Sequence, residues 1–590
     1  MLNEHQQAVL DFVRRGSGHA VVEATAGSGK TTTLVMVARL LVDEIVADGQ
    51  RAAFLAFNRS TAAELRARLP PQVEAVTLHS LGRQVLAHAW GAEGLELEPD
   101  KYLRLAREIV ASRSAGLLEG PSRSTGASVE HLASYLAGLY GFARLEMTEL
   151  TGPDAVSSLR ARYDLVPPLP QARLPALEEL LVPLARAGER AGTIDYTDMI
   201  HLPVALRLEV PEFSFICVDE AQDLSRLALG LIERLIGAGA RALFVGDPHQ
   251  AIYAFAGADA GSLARIERAT GATRLPLSVS FRCPSKHVVL ARRFSPEMRP
   301  AGGAPPGAVA LLPLERLPRE VRAGDMVMAR TNAPLPAVAL RLAEAGLRVR
   351  VLGHDLVGPA SEIVTALATG LDHDHPESAV LASAEAERRR PEDELLTSER
   401  LPEELERSRQ AHAALQLALR FVRRSGRDPG ANAVEAELQR RLAPQDEFVL
   451  LSTIHKAKGR EADRTFLLFP ETLGVGGSAV PMAPPDAALR TEGAAPGIVD
   501  AEHETLLSTS GLAGDDEAEA NVLFVALTRA KLVLTLVERE TGALAERLAS
   551  EVQGGPGGLG SRWNDVLRLA SVMSEARQRR GLSSGHGKTR

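Results

Sequence analysis

Ala24-Thr25-Ala26-Gly27-Ser28-Gly29-Lys30-Thr31 is the stretch on which the reading of this 590-residue chain turns. It follows a short apolar run, Ala20–Ala24, and precedes Thr31–Val46, whose apolar residues recur at helical spacing. Strand, glycine-rich loop and helix form the context that a phosphate-binding loop needs. Glycines let backbone N–H groups converge on phosphate oxygens, and the N-terminus of the helix adds a favourable dipole. In this reading Ala26, Gly27, Ser28 and Gly29 supply the cradle, and Lys30 reaches the β- and γ-phosphates. The Thr31 hydroxyl coordinates Mg²⁺, and Thr32 stands just past the loop. Ala24 takes the place of the first glycine in the strict pattern.

The complement lies downstream. Phe215–Val218 is apolar and runs into Asp219-Glu220-Ala221-Gln222-Asp223. Such a strand delivers Asp219 to its C-terminal edge, where open α/β sheets bind ligands. Asp219 can hold Mg²⁺, directly or through water, and Glu220 can orient and deprotonate an attacking water. Ala52–Ala56 and Ala242–Val245 are further strands, the latter also running into an acid. Leu2–Arg14 and Ser60–Leu69 read as helices. Strands alternating with helices argue for an α/β fold built on parallel sheet. A second unit of the same type begins near Leu275, with strands at Asp325–Ala329, Arg348–Leu352, Phe448–Leu451 and Thr465–Leu468.

The expected organisation is a first core from 1–90 and 192–274, interrupted by a helical insertion at 91–191. A second core from 275–365 and 446–545 is interrupted by a reduced helical insertion at 366–445. Within that block the charge runs Glu385–Arg390 and Glu403–Arg409 read as solvated helix faces. Residues 472–515, rich in Gly, Ala and Pro, read as a disordered loop, and 546–590 as a C-terminal helix and flexible tail.

In order along the chain, nine segments resemble the motifs of UvrD/Rep-type superfamily-one (1A) DNA helicases. Besides the phosphate loop and Asp219–Asp223, they are Leu2-Asn3-Glu4-His5-Gln6, Phe54–Ser60, Thr77-Leu78-His79-Ser80, Gly246–Phe255, Leu277–Arg282, Thr453–Glu461 and Glu519–Ala530. The resemblance spans residues 2 to 530. The wording of Ile194-Asp195-Tyr196-Thr197-Asp198-Met199, Gly246–His249 and Ser280-Phe281-Arg282 is close to the F-box DNA helicase branch.

The resemblance implies two RecA-like cores with an ATP cleft between them. It implies that Gln6 reads adenine, Phe281 stacks on the base and Glu461 accepts from a ribose hydroxyl. Gln250 would sense the γ-phosphate. Arg282 and Arg529, the latter in Thr528-Arg529-Ala530 after an apolar strand, would act as arginine fingers. Phe57, Tyr253 and Phe255 would stack on DNA bases, with Asn58, Arg59, Thr77, His79, Thr453 and His455 near the strand. Phe255 replaces a common Trp, Ala254 and Ala256 replace common Arg residues, and Thr32 stands where relatives often carry an adenine-stacking Arg.

The implied activity is 3′-to-5′ movement on single-stranded DNA and unwinding at single/double-strand junctions, in repair or recombination. Two alternatives stay open at this point. One is a translocase that strips proteins with weak unwinding; the other is a DNA-end-sensing ATPase switch partnered with a separate nuclease. A recombination or nuclease partner is therefore expected.

The composition sets limits. The formal net charge of −8 excludes a uniformly basic nucleic-acid coat, so any grip must be a local groove. Two cysteines cannot build a disulfide framework. No apolar run approaches the length of a membrane span, and the expected location is the cytoplasm, away from membranes.

Overall fold

The computed structural model describes residues 2–44, 46, 49–91, 95–118, 128–150, 152–163, 165–170, 172–252, 261–369, 402–425, 431–444, 446–473, 516–549 and 559–584. The chain divides into two compact units, Met1–Phe281 with Ala488–Asn521, and Arg282–Ala487 with Val522–Arg590. Each is built on a six-stranded parallel sheet, the α/β architecture expected.

In the first unit helix α1 (Glu4–Arg15) opens with a capping box. There the Asn3 side chain accepts from the Gln6 N–H, and the Gln6 side chain accepts from the Asn3 N–H. Six strands follow: β1 (Ala20–Ala24), β2 (Ala52–Ala56), β3 (Glu74–Thr77), β4 (Phe215–Val218), β5 (Arg241–Gly246) and β6 (Thr273–Leu277). Their order across the sheet is β3-β2-β4-β5-β1-β6. Both faces of the central strands are covered, so β2 and β4 are apolar and buried at every position rather than alternating. Helices α2 (Lys30–Glu44), α3 (Arg59–Arg68) and α4 (Leu78–Trp90) start where β1, β2 and β3 end. That rule brings the phosphate loop, Phe57–Arg59 and Thr77–His79 to one edge of the sheet.

The second core does not begin at 275. Leu275, Pro276 and Leu277 pair with Val22, Glu23 and Ala24, so β6 closes the first sheet instead. The sequence alone hides this because an edge strand of one parallel sheet and the first strand of another look alike.

Among the described residues of 91–191 helices dominate, notably α5 (Lys101–Leu118) and α6 (Val129–Leu145). The two-residue strand Glu96–Leu97 pairs with Thr193–Ile194, just before α7 (Asp198–Ala205).

The second unit carries β7 (Ala308–Pro313), β8 (Met326–Ala329), β9 (Val349–Val351), β10 (Val449–Thr453), β11 (Ala462–Leu468) and β12 (Ala530–Glu538), in the order β7-β12-β11-β8-β10-β9. Helix α8 (Pro402–Arg424) buries Ala414, Leu415 and Leu419 in the core under this sheet. The apolar stretch before Thr528, read above as a strand, is the end of helix α9 (Asp516–Leu527), and the strand starts at Ala530. A short all-apolar run carries no period, so it fits a buried helix as well as a strand. The C-terminal helix α10 (Leu559–Ser584) is bonded into this unit: the Trp563 indole is fully buried and donates to the Pro470 carbonyl at 3.0 Å. The runs Glu385–Arg390 and 474–515 lie outside the described residues.

Candidate nucleotide and nucleic-acid site

Gly27 and Gly29 hold φ of +73° and +83°, the left-handed region that glycine tolerates, and the chain turns there from β1 into α2. The loop is tied down from both flanks. Thr25 donates its N–H to the Leu277 carbonyl at 3.0 Å, and Phe281 donates its own to Gly27 O at 2.8 Å. The Gln6 amide donates to Thr33 Oγ1 at 3.4 Å. A Cβ on Gly29 would sit 3.3 Å from Gln6 Nε2 and 4.0 Å from the Phe281 ring. Gln6 and Phe281 therefore flank the same glycine. Phe281 is 57% exposed, an open aromatic face beside the loop. An amide edge next to an open ring is what a purine needs. Thr32 faces solvent, while Thr31 is half-buried at the first turn of α2.

Lys30 extends to Glu220, with Nζ 2.6 Å from Oε1. Burial works against its ammonium, but Glu220 and Asp219 outweigh that and hold its pKa above the ordinary lysine value. Asp219 closes β4 and accepts the Glu220 N–H on Oδ1 at 2.9 Å. Burial first, then repulsion from Glu220, pushes Asp219 up to about 6. Glu220 itself is left-handed, at φ +51° and ψ +41°, a conformation that a non-glycine residue holds only when its surroundings fix it. Its second oxygen, Oε2, accepts from Gln222 Nε2 at 2.5 Å.

At the end of β5, Asp247 is fully buried, and burial raises its pKa. Its Oδ2 accepts from Gln250 Nε2 at 2.6 Å, and its own N–H donates to Gln222 Oε1 at 3.1 Å. The sequence shows an acid after this strand but by itself gives neither Asp247 nor Gln222 a role. The signal was present: β4 and β5 both end apolar runs directly on an aspartate.

These residues fit a nucleotide with a divalent cation. The buried cluster sets one lysine against three carboxylates, Asp219, Glu220 and Asp247. No group of three or more His, Cys, Asp or Glu able to hold a metal by itself occurs among the described residues. Thr31 and Asp219 could therefore share a cation only with the ligand's own phosphate oxygens, which is how Mg²⁺ is commonly held beside a nucleotide.

The nucleic-acid candidates of the first unit converge as well. Phe57, Leu78, His79, Ile200, Asp223, Ser225 and Ala228 line one shallow pocket. Asn58 caps α3, its Oδ1 accepting from the Thr61 N–H at 2.8 Å, and Thr77 caps α4 through the Ser80 N–H at 3.1 Å. Both aim a helix N-terminus toward this edge, with Arg59 exposed on the first turn of α3. Tyr253 and Phe255 lie outside the described residues.

In the second unit Arg282 and Glu461 form an ion pair, with Nε 2.5 Å from Oε2, and Lys531 reaches the other carboxylate oxygen at 2.6 Å. Burial opposes ionisation of Glu461, but Lys531 and Arg282 prevail and hold its pKa below the usual range. Lys531 was not singled out from sequence. Arg529 is buried and donates to Val525 O at 3.0 Å and Thr528 Oγ1 at 3.0 Å, capping the end of α9. Thr453 ends β10, and its Oγ1 accepts from the Lys456 N–H at 3.3 Å. His455 beside it is driven down to about 3 by burial, then by Arg330 and Lys458, and is neutral at physiological pH.

A phosphate loop after β1, an acid pair after β4 two strands across the sheet, and a second parallel sheet bearing its own cationic residues define a two-core, P-loop nucleotide hydrolase. A family model for the UvrD/REP helicase N-terminal domain matches residues 2–270. The ATP-dependent DNA helicase UvrD2 of Mycobacterium tuberculosis is 25% identical, over 91% of this chain and 79% of that protein. The RecBCD enzyme subunit RecB of Mycolicibacterium smegmatis is 26% identical over 42% of this chain and 27% of its own length. The ATP-dependent DNA helicase Rep of Escherichia coli is 24% identical over 44% of this chain and 37% of its own length. Residues 2–270 thus match the UvrD/REP helicase N-terminal domain, and the chain is similar to the DNA helicase UvrD2 over most of its length. No helix among the described residues is long and apolar enough to cross a membrane.

Proposed function

We propose that this helicase is an ATP-driven motor that travels 3′-to-5′ on single-stranded DNA and opens duplexes at single/double-strand junctions, in DNA repair or recombination. The observation that carries the motor chemistry is the 2.6 Å contact between Lys30 and Glu220 at the mouth of the glycine loop. It brings the phosphate-gripping cation and the expected general base together at one sheet edge.

In this reading Gln6 and Phe281 hold the adenine, and Ala26–Gly29 cradle the phosphates with backbone N–H groups. Lys30 moves onto the β- and γ-phosphates, and Thr31 and Asp219 hold Mg²⁺. Held there by Thr31 and Asp219, Mg²⁺ would neutralise charge on the phosphate oxygens. Glu220 orients the attacking water and takes its proton. Gln250 reports the γ-phosphate. Arg282 and Arg529 are assigned as arginine fingers and Glu461 as the ribose acceptor. Arg529 must leave its carbonyl partners to serve in that way. Phe57 is assigned to stack on a base, with Asn58, Arg59, Thr77, His79, Thr453 and His455 assigned to the strand near it.

The direct test measures ATPase activity with and without single-stranded DNA, then unwinding of 3′-tailed and 5′-tailed duplexes. Stimulation by DNA with unwinding from 3′ tails is expected. Hydrolysis indifferent to DNA would overturn the motor reading, and unwinding from 5′ tails alone would overturn the polarity. Stimulation without unwinding would point instead to a translocase that strips bound proteins.

A further inference from the structure

We infer that Gln222 is a positioning residue that ties the general base Glu220 both to the Asp247–Gln250 turn and to the nucleic-acid pocket. The inference rests on the functional reading above and deepens it.

The amide of Gln222 is used at both ends. Its Nε2 donates to Glu220 Oε2 at 2.5 Å, and its Oε1 accepts the Asp247 N–H at 3.1 Å. Asp247 in turn receives Gln250 Nε2 at 2.6 Å and the His249 N–H at 3.1 Å on its two carboxylate oxygens. The result is one unbroken chain, Gln250 to Asp247 to Gln222 to Glu220 to Lys30. Gln222 is 1% exposed, so these bonds are shielded from water and strengthened accordingly. Spanning a carboxylate on one side and a backbone N–H on the other takes a group that both donates and accepts, which an amide does and a carboxylate or ammonium does not.

Space for the span is reserved by Gly246. A Cβ there would lie 2.5 Å from Gln222 Oε1 and 3.0 Å from its backbone nitrogen. Gly246 is not among the residues with positive φ, so close approach, not backbone freedom, calls for glycine at this position.

Glu220 thus has a separate anchor on each oxygen, Lys30 on Oε1 and Gln222 on Oε2. When Lys30 turns to the phosphates, Gln222 still holds Oε2. The next residue, Asp223, lines the pocket with Phe57 and His79. The single turn Ala221–Asp223 therefore places one side chain on the base and its neighbour on the nucleic-acid pocket. A shift of this turn when a base enters the pocket moves Gln222, and with it the carboxylate that must face the attacking water.

The test uses the full chain with Gln222→Met, which keeps length and removes both hydrogen bonds. DNA-stimulated kcat should fall about tenfold, as expected for loss of one aligned hydrogen bond in the transition state. The ratio of stimulated to basal rate should fall with it, and the affinity for a fluorescent ATP analogue should stay within about twofold. Gln222→Glu keeps the acceptor for Asp247 but sets a carboxylate against Glu220, and should lose more. In the double variant with Gln250→Ala the loss should not exceed that of the worse single change, because both act through one chain of bonds. Thermal melting of each variant separates these effects from misfolding. Full stimulation in Gln222→Met, or losses that multiply in the double variant, would overturn the inference. A wild-type enzyme not stimulated by DNA would instead count against the functional reading itself.

Discussion

Two buried charged networks lie in the first unit, and they differ in how their charges close. Around Asp198, Lys101 and Arg144 face Asp195 and Asp198, two cations against two carboxylates. The Arg144 fork grips Asp195 at 2.9 and 2.7 Å and reaches Asp198 at 2.9 Å. Lys101 donates to Asp198 at 2.8 Å and to the Thr193 carbonyl at 2.8 Å. The Arg144 guanidinium also stacks over Tyr102, 4.1 Å from the ring centroid. At the nucleotide loop a single lysine faces three carboxylates, and one of them is held in a left-handed backbone. The first network balances its charges, two against two, and it joins α5 and α6 to the start of α7. The second sets three carboxylates against one lysine, an imbalance that the proposed Mg²⁺ would offset. Burial alone does not mark a site; imbalance does.

Substitutions should separate the two networks. Glu220→Gln should lower ATP hydrolysis by about 10²–10⁴-fold, the range for losing a positioned general base, with nucleotide binding and melting temperature kept. Near wild-type turnover in this variant would show that another group takes the proton. Arg144→Met should do the reverse. It leaves Asp195 and Asp198 buried without their arginine and should cost about 3–5 kcal/mol of stability, with turnover per folded molecule little changed. Chemical denaturation checks this; an unchanged midpoint would mean that the network does not lock the insertion.

The contrast also explains what could be read in advance. The glycine loop, β1, β2 and β4 were legible because punctuation and apolar runs coincide there: Gly27 and Gly29 break the chain where a strand meets a helix. Asp219 and Glu220 were legible because they end an apolar strand. The Asp195–Asp198 segment stood out as wording shared with one helicase branch, but its purpose was hidden, since its cationic partners Lys101 and Arg144 are 97 and 54 residues away from Asp198 in sequence. Gln222 was hidden for a related reason. A glutamine after an acid pair has no intrinsic signature, and only the fold brings Gly246 and Asp247 against it. The second sheet was half-legible: β8, β9, β10 and β11 announce themselves, but the boundary at Leu275 and the helix ending at Leu527 depend on pairing and packing that local pattern does not encode.

A smaller effect would sharpen the comparison at the pocket shared by Phe57 and His79. Helix α7, which carries Asp198, packs closely on α4, which carries His79: a Cβ on Gly82 of α4 would collide with the Met199 carbonyl. The charge-balanced network therefore lies behind the pocket, whose lining includes Ile200 of α7 together with Phe57. Phe57→Ala should weaken single-stranded DNA binding by about 1–3 kcal/mol, the range for one lost base–aromatic stack. Because no phosphate contact is removed, the dependence of affinity on salt should keep its slope. Melting temperature should hold, whereas Arg144→Met should lower it before any DNA contact is lost. If Phe57→Ala binds DNA as tightly as the wild type, the pocket is packing rather than track. If its affinity loss comes with a shallower salt slope, the strand has shifted off the helix N-termini at Asn58 and Thr77, and stacking is not the interaction that Phe57 supplies.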